Sequence, residues 1–328
     1  MRANILNARD SRGYPRAMAA GRALLVLSLG VVLLASGCGG DRDENAHPTG
    51  KPASPFVYDA SRPLEVRDAG RVNSDYPIAV RDVSYVSGGR RIEGFLAVPP
   101  RGPSRPAAVY LHGSGGDRRQ LLVHAVWLAG RGAVTLAITA PSAAAPAESG
   151  LAPAAALRRQ HDLAVADVVA VRRGFDLLEA RRDVDGSRLG FVGWSAGART
   201  GALLAGVERR AKAFVLMSGG ATPVSAYAAA APQALRADVR RLLGEVDPLR
   251  TIRRARAGTL LLQDGRYDHV VPRSALNGLA RAAPKGTDVR WYAAGPDLDE
   301  AAFRDQLAWL ARRLEIDGPP VRGAITGP

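Results

Sequence analysis

Cysteine occurs once in the 328 residues, at Cys38, so no disulfide can form within the chain and the fold must stand on its core. Lysine is almost as scarce. Only Lys51, Lys212 and Lys285 are present, so the net charge of +14 is nearly all arginine. With 36 glycines, 22 prolines and abundant alanine, that arginine excess reads as GC-rich coding rather than a phosphate-binding surface. No basic run interleaved with aromatics appears, and nucleic acid is excluded as a partner. The surplus charge, which survives removal of the N-terminus, leaves room for weak attraction to anionic lipid headgroups. The five histidines, His47, His112, His124, His161 and His269, are scattered without ligand spacing, so no metal and no organic cofactor is implied. No segment repeats at a fixed period. What is plentiful is apolar material, 47% of the chain, ample for one large α/β domain.

Arg22 precedes an unbroken apolar run, Ala23 to Ala35, followed by Ser36-Gly37-Cys38-Gly39-Gly40. A basic flank, a short apolar stretch and small residues describe a signal peptide over residues 1–37, and the run is too short to span a bilayer comfortably. Met18 would begin a signal of usual length, so residues 1–17 read as an over-extended gene start. The lone cysteine after small residues resembles a bacterial lipobox, although Ala35 stands where leucine is usual. That resemblance implies lipidation of Cys38 and attachment to the extracytoplasmic side of the cell membrane; ordinary secretion is the alternative. Residues 38–76 are polar and rich in Pro, Asp and Arg, the composition of a flexible tether, and residues 316–328 read as a disordered tail.

Between them, residues 77–315 alternate strand and helix patterns. Val80–Val86 and Ile92–Val98 flank Ser87-Gly88-Gly89-Arg90 as a hairpin. Ala107–Leu111 is a short apolar strand running into His112-Gly113-Ser114-Gly115-Gly116, with a helix expected over Arg118–Gly130. Ala133–Thr139 is the next strand, and a Pro/Ala-rich excursion, Ala140–Ala155, follows it. In the long helix after that, Leu157, His161, Ala164, Val168, Val171, Phe175 and Leu178 recur at three- and four-residue steps and define one buried face. His161 is its polar exception, either satisfied in the core or turned toward the carboxyl ends of the strands, where ligands bind in such sheets. Ala213–Met217, Thr259–Leu262 and Val289–Tyr292 read as later strands, and Ala301–Leu314 as a closing amphipathic helix. The alternation predicts an α/β fold with a mostly parallel central sheet and helices on both faces.

The stretch the rest serves is Leu189–Arg199, LGFVGWSAGAR. An apolar strand enters Gly193-Trp194-Ser195-Ala196-Gly197 and a small-residue helix leaves it. So sharp a turn crowds the backbone at the serine, which requires glycine on both sides and lifts the Ser195 hydroxyl above the sheet edge. This pattern resembles the nucleophile elbow of the α/β-hydrolase fold, in its dienelactone-hydrolase-like or esterase type. The resemblance implies that Ser195 is the nucleophile. It also implies that the backbone N–H groups of Ser114 and Ala196 form an oxyanion hole and that His112 is structural. The run Gly265-Arg266-Tyr267-Asp268-His269-Val270-Val271-Pro272 resembles the family's acid turn and points to Asp268, with Asp264 as the alternative.

One residue of that pattern is absent. Relatives of this type carry a histidine after the last strand, in Tyr-x-x-Gly-His, but this chain reads Tyr292-Ala293-Ala294-Gly295-Pro296, and no histidine follows His269. Serine is a poor nucleophile unless an imidazole takes its proton and later returns it to the leaving group. Three accounts stay open: His269 or His161 substitutes; the site binds a carbonyl ligand without efficient turnover; or Asp297 or Asp299 acts as the base, for which burial would have to raise its pKa. The expectation is a serine hydrolase acting on an ester or related acyl bond of a small molecule through a Ser195 acyl-enzyme, with His269 the first candidate base. The alternative is a catalytically impaired homologue that binds a carbonyl ligand. A peptidase of related fold is disfavoured, because the chain has no room for an added propeller-sized domain.

Overall fold

The computed structural model describes residues 54–100, 102, 104–145 and 150–316. Its strands are β1 (Arg67–Arg71), β2 (Ala79–Ser87), β3 (Arg90–Val98), β4 (Arg105–Leu111), β5 (Val134–Ile138), β6 (Val184–Trp194), β7 (Ala211–Met217), β8 (Leu260–Gly265) and β9 (Asp288–Tyr292). They lie in one sheet in the order β1-β2-β3-β5-β4-β6-β7-β8-β9. The β1–β2, β2–β3 and β3–β5 pairs are antiparallel, and every pair from β5 to β9 is parallel. The sheet is thus mostly parallel, as the sequence pattern predicts.

Alternation along the central strands sorts the core into two layers. Val109, Leu111 and Phe191 turn to the face covered by α2 (Pro153–Glu179), α3 (Ala196–Ala205) and α7 (Arg273–Ala282). Ala108, Tyr110 and Val192 turn to the face covered by α1 (Leu122–Gly130) and α8 (Glu300–Arg313). Three helices between β7 and β8, α4 (Val224–Ala230), α5 (Arg236–Glu245) and α6 (Pro248–Thr251), form a cap at the edge of the first layer, where α5 packs on α2 through Leu157, Val239 and Leu242. The chain leaves β4 toward β5 on one side and returns to β6 on the other. The carboxyl ends of β4 and β6 therefore flank a topological switch point, where open α/β sheets leave a crevice for ligands.

Two expectations need correction. The helix expected from Arg118 begins at Leu122, because Arg118 is spent on the turn, its guanidinium donating to both carboxylate oxygens of Asp82 at 2.6 and 2.9 Å. The flexible tether does not extend to residue 76. Phe56 is buried in the core and β1 pairs with β2. Arg172 donates to the Phe56 carbonyl at 2.7 Å, Arg173 donates to the Arg62 carbonyl at 2.6 Å, and the Tyr58 hydroxyl donates to Asp176. Composition could not reveal this strap, because most of these bonds run from distant arginines to backbone carbonyls available in any sequence. The signal peptide, Cys38 and the first part of the tether lie outside the described residues, as does the tail beyond Ile316. No helix among the described residues is long and apolar enough to cross a membrane.

Candidate active site

Ser195 caps α3 with φ 52° and ψ −108°, a conformation a non-glycine residue adopts only under strain, at a cost of about 1–3 kcal/mol. Packing enforces it. A Cβ on Gly197 would sit 2.2 Å from the Leu111 carbonyl oxygen, and one on Gly193 would sit 2.4 Å from the Gly197 carbonyl oxygen. The Ser195 N–H is tied to the Met217 carbonyl at 2.8 Å. The sequence requirement for glycine on both sides of the serine thus has a steric cause, the end of β4 for Gly197 and the first turn of α3 for Gly193.

That turn, after β4, is fixed by His112 and Gln120. The His112 Nε2 accepts from the Ala140 N–H at 2.9 Å, so Nδ1 carries the hydrogen and donates to the Gly113 carbonyl at 2.7 Å. Burial holds this imidazole below its usual pKa, and both its nitrogens are committed. It is structural, as the sequence reading has it. The Gly113 N–H donates to Gln120 Oε1 at 2.9 Å, which leaves the next N–H, that of Ser114, without an acceptor among the described residues. The Ala196 N–H, at the start of α3, has none either. Ser114 and Ala196 both line one cavity of about 370 Å³, reaching from the switch point to α2, α3 and the cap. Two acceptor-free N–H groups beside Ser195 suit a carbonyl oxygen that gains negative charge.

Asp268 sits in the turn after β8. Its Oδ1 accepts from the Val270 and Val271 N–H groups, both at 2.8 Å, while its Oδ2 is buried with no partner among the described residues. The loop after β9, which holds Pro296, is bonded to the turn after β8 and to the end of β6. The Tyr267 N–H donates to the Ala294 carbonyl at 2.9 Å, and the Pro296 carbonyl accepts from Trp194 Nε1 at 2.9 Å and from the Ser218 hydroxyl at 2.8 Å. Position 296 is therefore anchored to the elbow, but its side chain is a pyrrolidine that can neither accept a proton nor satisfy Asp268.

Asp264, the alternative acid, lies inside β8 and is 2% exposed. Burial, then the Asp268 carboxylate, pushes its carboxyl up to about 7, with Arg273 opposing. An unfolded aspartate releases its proton near 4, so between about pH 4 and 7 the folded state keeps a proton the unfolded chain has lost. Stability from this group falls as pH rises through that window and is level above it. Asp264→Asn is expected to remove the fall. Urea midpoints of variant and parent should separate progressively from about pH 4 to about pH 7, the variant being the more stable at the top; a constant separation would refute the burial effect.

None of the remaining base candidates makes a hydrogen bond to the Ser195 side chain among the described residues. His269 is exposed and makes no hydrogen bond among the described residues. His161 has Nε2 3.0 Å from Glu245 and Nδ1 2.9 Å from Asp162, joining α2 to α5; its neighbours Gln160, Leu163, Ala164 and Asp167 line the cavity instead. Asp299 caps α8 by accepting from the Ala302 N–H, and Asp297 is exposed. His124 packs edge-on against Phe303 in the α1–α8 layer, where burial lowers its pKa to about 4. The sequence reading missed Gln120, the Trp194 and Ser218 links to Pro296, and Arg199. Arg199 had a signal, being a lone charge in the small-residue helix after the elbow.

No protein-family model matches the chain, and no curated protein matches it either. Solved structures do. Acetyl xylan esterase 1 from Thermoanaerobacterium sp. JW/SL YS485 is 16% identical over 80% of this chain and 92% of its own, with a TM-score of 0.61. The acetyl xylan esterase from Paenibacillus sp. R4 is 21% identical over 77% of this chain and 90% of its own, also at 0.61. A cold-adapted esterase from an Arctic intertidal metagenomic library is 18% identical over 75% and 97%, at 0.54. At such identities the likeness is one of fold. With the mostly parallel sheet, the elbow between β6 and α3 and helices on both faces, it establishes that this chain has the α/β-hydrolase fold.

Proposed function

We propose that the protein acts on an ester or related acyl bond of a small molecule through an acyl-enzyme on Ser195. The observation that carries this reading is the strained Ser195 set beside two acceptor-free N–H groups, those of Ser114 and Ala196. Strain of this kind persists only where the surrounding structure imposes it, and it clusters at sites of chemistry. In the proposed reaction the substrate carbonyl oxygen lies against the two N–H groups and Ser195 Oγ attacks the carbonyl carbon. The hydroxyl proton passes to solvent, and the leaving alkoxide or phenoxide departs. Water then attacks the acyl-serine, releasing the carboxylic acid and restoring the hydroxyl. Lacking an imidazole to protonate the leaving group, the site favours activated esters, whose leaving groups depart as anions. An oxyanion hole and binding alone supply roughly a thousandfold over water.

A second reading, a carbonyl-ligand binder without turnover, is favoured by one specific observation. None of the described histidines bonds Ser195, and Asp268 Oδ2 is left buried without a partner. Release of p-nitrophenolate from p-nitrophenyl acetate separates the two. The hydrolase reading expects slow, saturable release that Ser195→Ala reduces to the buffer rate. Equal rates in parent and Ser195→Ala would sink it, and saturable binding without release would support the binder. We also propose that Cys38 carries a lipid anchor, tethering the domain to the extracytoplasmic face of the membrane. Its support is the sequence pattern around Cys38.

A further inference from the structure

Arg199 stands one turn into α3, its N–H bonded to the Ser195 carbonyl, and its side chain lines the cavity that Ser114 and Ala196 also line. Several other arginines half-buried in this domain are paired, although Arg131, against α1 and away from this cavity, has a buried Nε without a partner among the described residues. Arg105 meets Asp183, Arg118 meets Asp82, Arg172 meets Glu208, and Arg210 meets Asp176 and Glu208. The Arg199 side chain makes no hydrogen bond, ion pair or ring contact among the described residues. Carboxylates are not missing from its surroundings, since Asp167 and Asp247 line the same cavity. Neither is paired with it. The two oxygens of Asp167 accept from the N–H and hydroxyl of Ser142, at 2.9 and 2.7 Å, and Asp247 caps α6 by accepting from the Leu249 N–H. Much of the remaining wall is apolar, including Leu163, Ala164, Leu203 and Val246.

A guanidinium on an apolar cavity wall with no counter-charge has a geometric preference. Its planar fork matches a carboxylate bidentately, and partial exclusion of water strengthens that contact. From Ala196 to Arg199 the helix rises only about 4.5 Å, so a charge held by Arg199 belongs to the same small molecule whose carbonyl meets the Ala196 N–H. We infer that the cavity selects acyl compounds that carry a carboxylate a few carbons from the reacting carbonyl, half-esters of short dicarboxylic acids, with Arg199 as the residue that binds the free carboxylate. A volume of about 370 Å³ accommodates a molecule of that size. This inference deepens the proposed acyl chemistry and rests on the carbonyl lying where that reading puts it.

The test uses binding, so that it does not depend on turnover. Calorimetric titration of Ser195→Ala protein with monoethyl glutarate, an anion, and with diethyl glutarate, its neutral counterpart, compares the two directly. The half-ester is expected to bind about tenfold to a hundredfold more tightly. Arg199→Gln should abolish that preference while leaving the affinity for the diester unchanged, and Arg199→Lys should keep part of it. Thermal melts of the variants confirm that each is folded. Equal affinity for the two esters, or a preference that survives Arg199→Gln, overturns the inference. The two readings fail separately. If neutral esters are hydrolysed at Ser195 but no anion preference exists, the substrate class is wrong and the acyl chemistry stands. If the half-ester binds through Arg199 but the native protein releases p-nitrophenolate from p-nitrophenyl acetate no faster than Ser195→Ala does, the substrate class stands and the hydrolase reading falls.

Discussion

Pro296→His is expected to raise kcat/KM for p-nitrophenyl acetate by at least about a hundredfold. Removing the histidine from a working serine hydrolase costs roughly a millionfold in turnover, so even an imperfectly placed imidazole has a large deficit to recover. The local geometry favours recovery. The position-296 carbonyl is pinned by Trp194 Nε1 and the Ser218 hydroxyl, both contacts made by backbone and indifferent to the side chain. Asp268 Oδ2 is buried and without a partner among the described residues, so it is free to accept an imidazole N–H and fix the ring's tautomer. The variant should acquire a rate that climbs as the new imidazole loses its proton, near or above its ordinary pKa of about 6.5, because an adjacent carboxylate favours the charged ring. The gain should vanish in the Pro296→His, Asp268→Asn double variant. Steady-state kinetics across pH check all of this. A Pro296→His protein that folds but shows no gain would mean that residue 296 does not face Ser195.

The second large effect concerns stability. Gly197→Ala adds one methyl group, and that methyl would lie 2.2 Å from the Leu111 carbonyl oxygen and 2.6 Å from the His112 carbonyl oxygen. Both obstacles are backbone, Leu111 in a central strand flanked by β5 and β6, so neither can swing aside as a side chain would. Relief requires α3 to move away from β4, which opens the packing of Ala198 and Ala202 against the core. A loss of at least about 3 kcal/mol is expected, at the upper end of overpacking costs. For a domain of this size that corresponds to a fall of roughly 6–12 °C in Tm. Gly244→Ala is the control: a Cβ there meets nothing within 4 Å, and the change removes a glycine from the interior of α5, so stability should rise slightly. Calorimetry of the two variants decides it. A Gly197→Ala protein as stable as its parent would contradict the described packing of the elbow on β4.

Much of this was legible in the sequence, and the reasons are local. The glycines around Ser195 and the apolar strand before them report a steric demand that any chain making this turn must meet, so the elbow reads directly. The buried face of α2 reads from its period, and Leu157, Val168, Val171, Phe175 and Leu178 are all buried. His161 marks where that reasoning stops, since its place on the face is right but its partner, Glu245, belongs to a helix 84 residues away. The strap of residues 54–62 was illegible for a related reason, because its bonds run from Arg172 and Arg173 to backbone carbonyls. The extent of the anomaly at Pro296 was half-legible. Sequence shows that no histidine follows His269. It takes the fold to show that Asp268 keeps a buried oxygen without a partner among the described residues, that the Pro296 carbonyl is tied to Trp194, and that His269 and His161 do not bond Ser195.

The central claim, that Ser195 is a nucleophile at an acyl-transfer site, is tested most directly by incubating the purified protein with a fluorophosphonate and locating the adduct by peptide mass spectrometry. The account predicts one phosphonyl group on the peptide containing Ser195, added slowly in the native protein, faster in Pro296→His and not at all in Ser195→Ala. Absence of the adduct from both the native protein and Pro296→His, with the domain folded, would contradict it.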